Sequence, residues 1–379
     1  MKVGIITQPL HCNYGGLLQN YALQQVLNKF GHEAITLDQD DAPVSQIRLI
    51  ASNIKLFILK TIGKRAKQKY SFKIDKKKIA YIRKHTQYFV DKYINHTPAM
   101  YKTEDFRNFC VNNNIDMLLA GSDQVWRPCY NNNIYRSFFD FAEGLDLKRC
   151  AYAASFGVDS WEYTEEQTSK CKELVELFDA ISVREESGID LCKTHFNRKA
   201  EHVLDPTMLL DKDDYEALVY KENEPVSPGN LFTYILDESE EKTNIIENVA
   251  KSLDLVPFKV MPKKRVNKKN IKPINDYVFP PVTQWLRAFM DAEFVVCDSF
   301  HGAVFSIIFN KPFLVIANPQ RGLSRFTSLL RLYGLEDRII SESGNDITAI
   351  DKEIDWEAIN SKRNLLKEKS YSFLKQIDL

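Results

Sequence analysis

The residues best suited to chemistry in this 379-residue chain stand together in the run Asp298-Ser299-Phe300-His301-Gly302. An imidazole changes its protonation near neutral pH, and a strand-to-helix turn sets free backbone N–H groups and a positive dipole end beside it, a setting that suits an anion. The run lies between the apolar strand pattern Phe294 to Cys297 and the helical pattern Ala303 to Phe309, so His301 is expected at such a turn. A lone histidine is more often structural; the setting carries the catalytic reading, not the residue type.

Three other segments offer groups to the same kind of site. Gly121-Ser122-Asp123-Gln124-Val125-Trp126 follows the apolar run Met117 to Ala120, at the carboxyl end of an expected parallel strand. There Asp123 could take a proton or a sugar hydroxyl, and Trp126 offers a flat face for a pyranose; a helix cap for Asp123 and a core position for Trp126 are the competing readings. Arg184, in Ser182-Val183-Arg184-Glu185, could grip a phosphate or carboxylate in a bidentate fork, unless Glu185 neutralises it in an ordinary ion pair. Asn318 to Phe326 adds Arg321, Ser324 and Arg325 after the strand pattern Phe313 to Ile316. Several guanidinium groups near a histidine suit a small, highly charged anion better than a neutral one.

The first loop, Pro9 to Gln19, leaves a strand and enters a helix, and Gly15-Gly16 would let a ligand come close to the backbone. It is neither a Walker loop nor the dinucleotide fingerprint, and a simple tight turn explains it equally well. Asn13 and Gln19 are its candidates for sugar binding.

The elements that must position these groups read as β-helix-β units. Strands are expected at Lys2 to Thr7, Glu33 to Asp38, Asp116 to Ala120, Arg149 to Ala154, Ala180 to Val183 and His202 to Leu204, with helices at Leu17 to Phe30 and Glu165 to Leu177. After the charged, Pro- and Gly-containing stretch Lys221 to Gly229, strands restart at Leu231 to Leu236, Val256 to Val260, Phe294 to Cys297 and Phe313 to Ile316. The expected class is α/β, two Rossmann-like doubly wound domains facing a cleft: 1–222 on the acceptor side, with a basic helical excursion at 43–95, then 223–353. Residues 354–379 form a terminal helix that packs back across the lobes.

Bulk properties bound the function. Lys plus Arg and Asp plus Glu each total 51, so no net charge draws the chain to nucleic acid. The seven cysteines are scattered, without metal-ligand spacing, and read as reduced; no leader pattern opens the chain, and a cytoplasmic location is expected. The anomaly is Arg48 to Lys84, where lysines crowd beside Ile47, Ile50, Ile54, Phe57, Ile58 and Ile62 at helical spacing. Such a stripe could rest on the anionic inner surface of a membrane, as a peripheral contact; a solvated helix packed on the first lobe is the more ordinary reading.

Taken in order, Asn13-Tyr14-Gly15-Gly16 with Gln19, Gly121 to Trp126, Val183-Arg184-Glu185, Leu204-Asp205-Pro206-Thr207 and Asp298 to Gly302 resemble the polysaccharide pyruvyltransferase family. The resemblance implies a GT-B-like fold and phosphoenolpyruvate as donor co-substrate, with no cofactor and no metal. It also implies a sugar of a capsular or exopolysaccharide, or of its lipid-linked precursor, as acceptor, and a pyruvate ketal as product. His301 matches the family's active-site histidine and Arg184 the arginine expected to hold the donor. Some members carry a basic residue where this chain has Ser299, and Arg321 or Arg325 is the candidate replacement. Ser299, Phe300, Gly302 and Ser324 complete the donor side, and Asn13, Tyr14, Gly15, Gly16, Gln19, Ser122, Gln124 and Trp126 the acceptor side. His301 and Asp123 are the acid and base of the reaction, in either order. A nucleotide-sugar glycosyltransferase and a non-catalytic sugar-binding protein of the same fold are the alternatives.

Overall fold

The computed structural model describes residues 1–40, 75–266, 271–317, 323–342 and 347–377. The first sheet is built from β1 (Lys2–Ile6), β2 (Glu33–Thr36), β3 (Met117–Ala120), β4 (Lys148–Ala154), β5 (Ala180–Val183) and β6 (Glu201–His202), in the order β2-β1-β3-β4-β5-β6. The second contains β7 (Leu231–Tyr234), β8 (Pro257–Phe258), β9 (Phe294–Cys297), β10 (Phe313–Ile316) and β11 (Ile339–Ile340), in the order β11-β10-β9-β7-β8. All pairings are parallel. Strands covered on both faces must be apolar throughout, and every residue of β3 and β9 is buried.

Both sheets therefore reverse their winding at one place, between β1 and β3 in the first lobe and between β7 and β9 in the second. Loops leaving the carboxyl ends on either side of such a point diverge and open a crevice.

Among the described helices, α1 (Tyr14–Lys29) follows β1. The excursion contributes α2 (Lys76–Ile82) and α3 (Lys84–Tyr93), and Asp75 caps α2 by accepting the Lys77 N–H. Residues 48–74 of the Lys-rich stretch lie outside the described residues. Next come α4 (Thr103–Asn112), α5 (Glu165–Glu176), α6 (Glu186–Leu191), α7 (Lys212–Lys221) and α8 (Glu240–Leu253). The series ends with α9 (Val282–Asp291), α10 (Phe300–Ile308), α11 (Leu323–Tyr333) and α12 (Trp356–Gln376). None of the described helices is long and apolar enough to cross a membrane.

The lobes share one apolar core. Tyr14 of α1 stacks on Trp285 of α9 at 5.7 Å, and its hydroxyl donates to the Pro280 carbonyl. The chain crosses to the second lobe before residue 222, since Tyr215 of α7 packs edge-on against Phe305 of α10. It returns through α12, whose Ser370 hydroxyl accepts the Leu204 N–H and whose Tyr371 hydroxyl donates to the Leu209 carbonyl.

Candidate functional site

The four loops at the two reversal points converge on one cleft of about 1120 Å³. From the first lobe the β1 loop brings Asn13 and the β3 loop Asp123 and Gln124; from the second, the β7 loop brings Asp237 and Ser239, and the β9 turn Ser299, Phe300 and His301.

Helix α10 begins at Phe300, one turn earlier than its sequence pattern indicates, so His301 lies within its first turn. Ser299 is the cap: its hydroxyl accepts the Gly302 N–H at 2.9 Å. Two expectations change here. The Gly302 N–H is already satisfied and not offered to an anion, and Gly302 is required because a Cβ would fall 2.7 Å from that of Cys297. Ser299 shapes the turn while still lining the cleft.

Asp298 fixes the turn from the other side. Its carboxylate accepts the Leu236 and Asp237 N–H groups and the Lys242 ammonium at 2.8 Å, tying the β7 loop to the β9 turn. This buried pair is satisfied on both sides, since Lys242 also donates to the Asp237 carbonyl.

Beneath His301 lies a cluster of charges from the first lobe. Asp205 is its centre: one oxygen accepts from Arg184 at 2.9 Å and Ser122 at 3.0 Å and stands 3.6 Å from His301 Nε2, while the other accepts the Thr207 N–H and hydroxyl. The 3.6 Å separation is an ion-pair distance, too long for a hydrogen bond. Burial by itself would raise the Asp205 pKa, but the imidazole and the guanidinium outweigh it and hold this carboxyl far below its ordinary range. Arg184 also reaches Asp123 at 3.4 Å and lies over the Phe300 ring at 4.2 Å, so Phe300 of the second lobe is clamped by an arginine of the first.

Asp123 adopts a left-handed backbone, with φ at 69°, a conformation that aspartate tolerates and that recurs at functional sites. Its second oxygen accepts the Asn13 amide at 3.1 Å. Burial opposes its charge, but Arg184, His301 and Arg325 prevail and keep its pKa below the usual value. Arg325, buried in the first turn of α11, lines the cleft and lies 5.8 Å from the Phe300 ring; burial and the like charge of Arg184 bring its pKa down to about 10.

Gly15 explains how the lobes can meet so closely. A Cβ there would lie 2.1 Å from the His301 ring, so the start of α1 supports the imidazole directly.

The structure thus gathers His301, Asp123, Arg184, Ser299, Phe300, Arg325 and Asn13. Glu185 does not neutralise Arg184; its carboxylate accepts from the Ser155 hydroxyl and from the Phe156 and Gly157 N–H groups. Arg321 lies outside the described residues, and Ser324, half-buried on α11, does not line the cleft.

Much of the acceptor set is corrected. Trp126 is 0% exposed, stacks on Phe138 at 5.0 Å and donates to the Ser137 carbonyl, so it is core and no platform for a sugar. Tyr14 is equally buried. Gln19 donates inward to Thr7 Oγ1 and the Gly16 carbonyl, Ser122 is committed to Asp205, and Gly16 packs against the Asn13 side chain. Only Asn13 and Gln124 of that set line the cleft. Asp205 and Asp298 stand in motifs that the sequence marks but gives no individual role, and Lys242 is a structural member of the site that sequence reasoning did not single out.

A model of the polysaccharide pyruvyl transferase family matches residues 13–320, from the Asn13 loop through the His301 turn. The chain belongs to the polysaccharide pyruvyl transferase family. Its fold is shared more widely: the UDP-GlcNAc 2-epimerase from Methanocaldococcus jannaschii superposes with a TM-score of 0.51 at 11% identity, over 98% of this chain and 100% of that one. The same organism's epimerase in complex with UDP-GlcNAc and UDP gives 0.51 at 13% identity, again over 98% and 100%. At such identities the likeness establishes a common GT-B-like, two-domain fold and nothing of the chemistry. No curated protein matches the sequence. Within a pyruvyl transferase the buried charge cluster gains its interest from lying at the meeting of both lobes, where a donor and an acceptor must be brought together.

Proposed function

We propose that this pyruvyl transferase moves the enolpyruvyl group of phosphoenolpyruvate onto two hydroxyls of a sugar in a capsular polysaccharide or exopolysaccharide, or in its lipid-linked precursor, forming a ketal and releasing phosphate. The observation that carries this reading is the meeting of His301 and Arg325, which line the inter-lobe cleft, with the buried Arg184–Asp205 pair beneath His301. In this reading Arg325 faces the donor's anionic groups, and Arg184, already bound to Asp205 and Asp123, acts by holding those carboxylates in place.

The charges support one division of the acid and base roles. A carboxyl held below its ordinary pKa is ionised at neutral pH and has no proton to give, which makes Asp123 the acceptor for a sugar hydroxyl proton. His301 is then the acid that protonates the methylene carbon. The neighbouring carbon gains oxocarbenium character, the first hydroxyl oxygen bonds to it, its bond to the phosphate oxygen breaks, and the second hydroxyl closes the ketal. Of the two hydroxyl protons, one replaces that given to the new methyl group and the other leaves on phosphate.

The expected result with phosphoenolpyruvate and candidate glycans is phosphate release together with a pyruvyl mass increase on the glycan, read by mass spectrometry. Phosphate released with no change in any glycan's mass would speak against transfer. Gly15→Ala tests the geometry: the added methyl must push the imidazole aside, so turnover should collapse, while overpacking costs about 1–3 kcal/mol in a melt. Normal turnover in that variant would remove the contact from the account.

A further inference from the structure

Trp126, Tyr14 and Gln19 lie inside the protein and so contribute nothing to reading a sugar. Further room for an acceptor lies next to the cleft. A second cavity of about 450 Å³ adjoins the cleft, and Pro9, Asp40 and Tyr130 line both. Its volume is in the range of about 300–1,000 Å³ typical of ligand pockets.

We infer that this side pocket is a glycan subsite, which holds the sugar residues adjoining the one that is modified. The inference rests on the reading of the cleft as the site of pyruvyl transfer, and it adds where the rest of the acceptor chain lies. Two kinds of chemistry point to it. Tyr101 and Tyr130 line the pocket with 38% and 45% of their surface exposed, among the few large apolar side chains so exposed among the described residues. A tyrosine ring offers a flat apolar face to the C–H face of a pyranose and a hydroxyl to its rim. Between them stand Asn132 and Asn133, whose amides both donate and accept, as a ring of sugar hydroxyls demands.

The charges give a phosphate or nucleotide no net attraction here. Lys102 and Arg136 are matched by Asp40 and Glu104, which leaves no net positive field. Arg136 is further engaged, donating to the Tyr101 carbonyl at 2.9 Å and lying over the Phe106 ring. Tyr130 is held at the boundary between the cavities, one of its faces covered by Arg127 at 4.9 Å. Asn131 anchors the same turn by donating to the Val125 carbonyl. A neutral, hydroxyl-rich chain running from the cleft past Tyr130 fits this lining.

The test uses the full chain and defined probes: galacto-, gluco- and manno-oligosaccharides of one to four residues, followed by saturation-transfer NMR. The expected result is binding that strengthens from one residue to three or four in at least one series. Tyr101→Ala and Tyr130→Ala should each lower the affinity for the longer member about tenfold, and Tyr101→Ala, at a position outside the main cleft, should leave the single sugar's signal unchanged. No binding of any oligosaccharide, no gain with length, or wild-type affinity in both variants would overturn the subsite. Phosphoenolpyruvate affinity, measured on the same wild-type samples, reports separately on the donor site, so failure of the transfer reading is distinguished from failure of the side pocket.

Discussion

His301→Ala is expected to abolish phosphate release from phosphoenolpyruvate in the presence of acceptor, with turnover falling by about 10²–10⁴-fold, the usual worth of a positioned general acid. Burial opposes their charge, but the neighbouring cations hold the Asp123 and Asp205 carboxyls below the ordinary range, so neither carries a proton to give, and the proposed mechanism takes it from His301. The substitution should leave the fold intact: removing the ring opens space toward Gly15 and the cleft, and the helix cap from Ser299 to Gly302 remains. Wild-type phosphate release by a folded His301→Ala protein would assign the proton to another residue. His301→Gln, which can still donate a hydrogen bond, should remain inactive if transfer of the proton and not polarity is what matters.

The second large effect falls on stability. Asp205→Ala should cost about 3–5 kcal/mol, because it takes the nearer of two carboxylates from a buried guanidinium. Arg184, with a side chain only 1% exposed, would retain Asp123 at 3.4 Å as its carboxylate partner, and the Thr207 N–H and hydroxyl would lose their acceptor. Urea unfolding should show a lower midpoint with an unchanged slope. Linkage gives a second signature. Asp205 and Asp123 both have folded-state pKa values below their unfolded ones, so their contribution is fully present above the unfolded carboxylate value of about 3.9 and is lost as pH falls through the folded values. Wild-type stability should therefore drop on acidification below about pH 4. In Asp205→Ala that acid limb should be shallower, since one of the two carboxylates is gone. An identical limb in both proteins would contradict the assignment.

How much of this was legible from the residues follows from what each type of signal can carry. Strands buried on both faces are apolar runs, and Ala180 to Val183, Phe294 to Cys297 and Phe313 to Ile316 end where their composition indicates. The run His202 to Leu204 instead closes at His202, because the Leu204 N–H is taken by Ser370 of α12, a partner remote in sequence. Helix α1 starts at Tyr14 and not Leu17: Gly15-Gly16 reads as a turn by propensity, but contact with the other lobe overrides it.

The site shows the same division. Residues on turns after strands, such as His301, Asp123 and Arg184, were legible because topology places strand ends in a crevice. The direction of Trp126 was not, since an indole serves a core and a sugar site equally, and only its stacking on Phe138 decides between them. Asp205 was marked only as part of a family motif. One of its oxygens caps Thr207 locally; the other reaches Arg184 and His301, partners remote in sequence that no local pattern reveals.

The central claim is that the floor of the inter-lobe cleft is built for a small phosphorylated acid. Calorimetric titration tests it most directly. Phosphoenolpyruvate should bind at a single site, with its affinity lost in Arg325→Ala, while UDP-GlcNAc under the same conditions gives no heat. Saturable binding of UDP-GlcNAc with none of phosphoenolpyruvate would contradict the account.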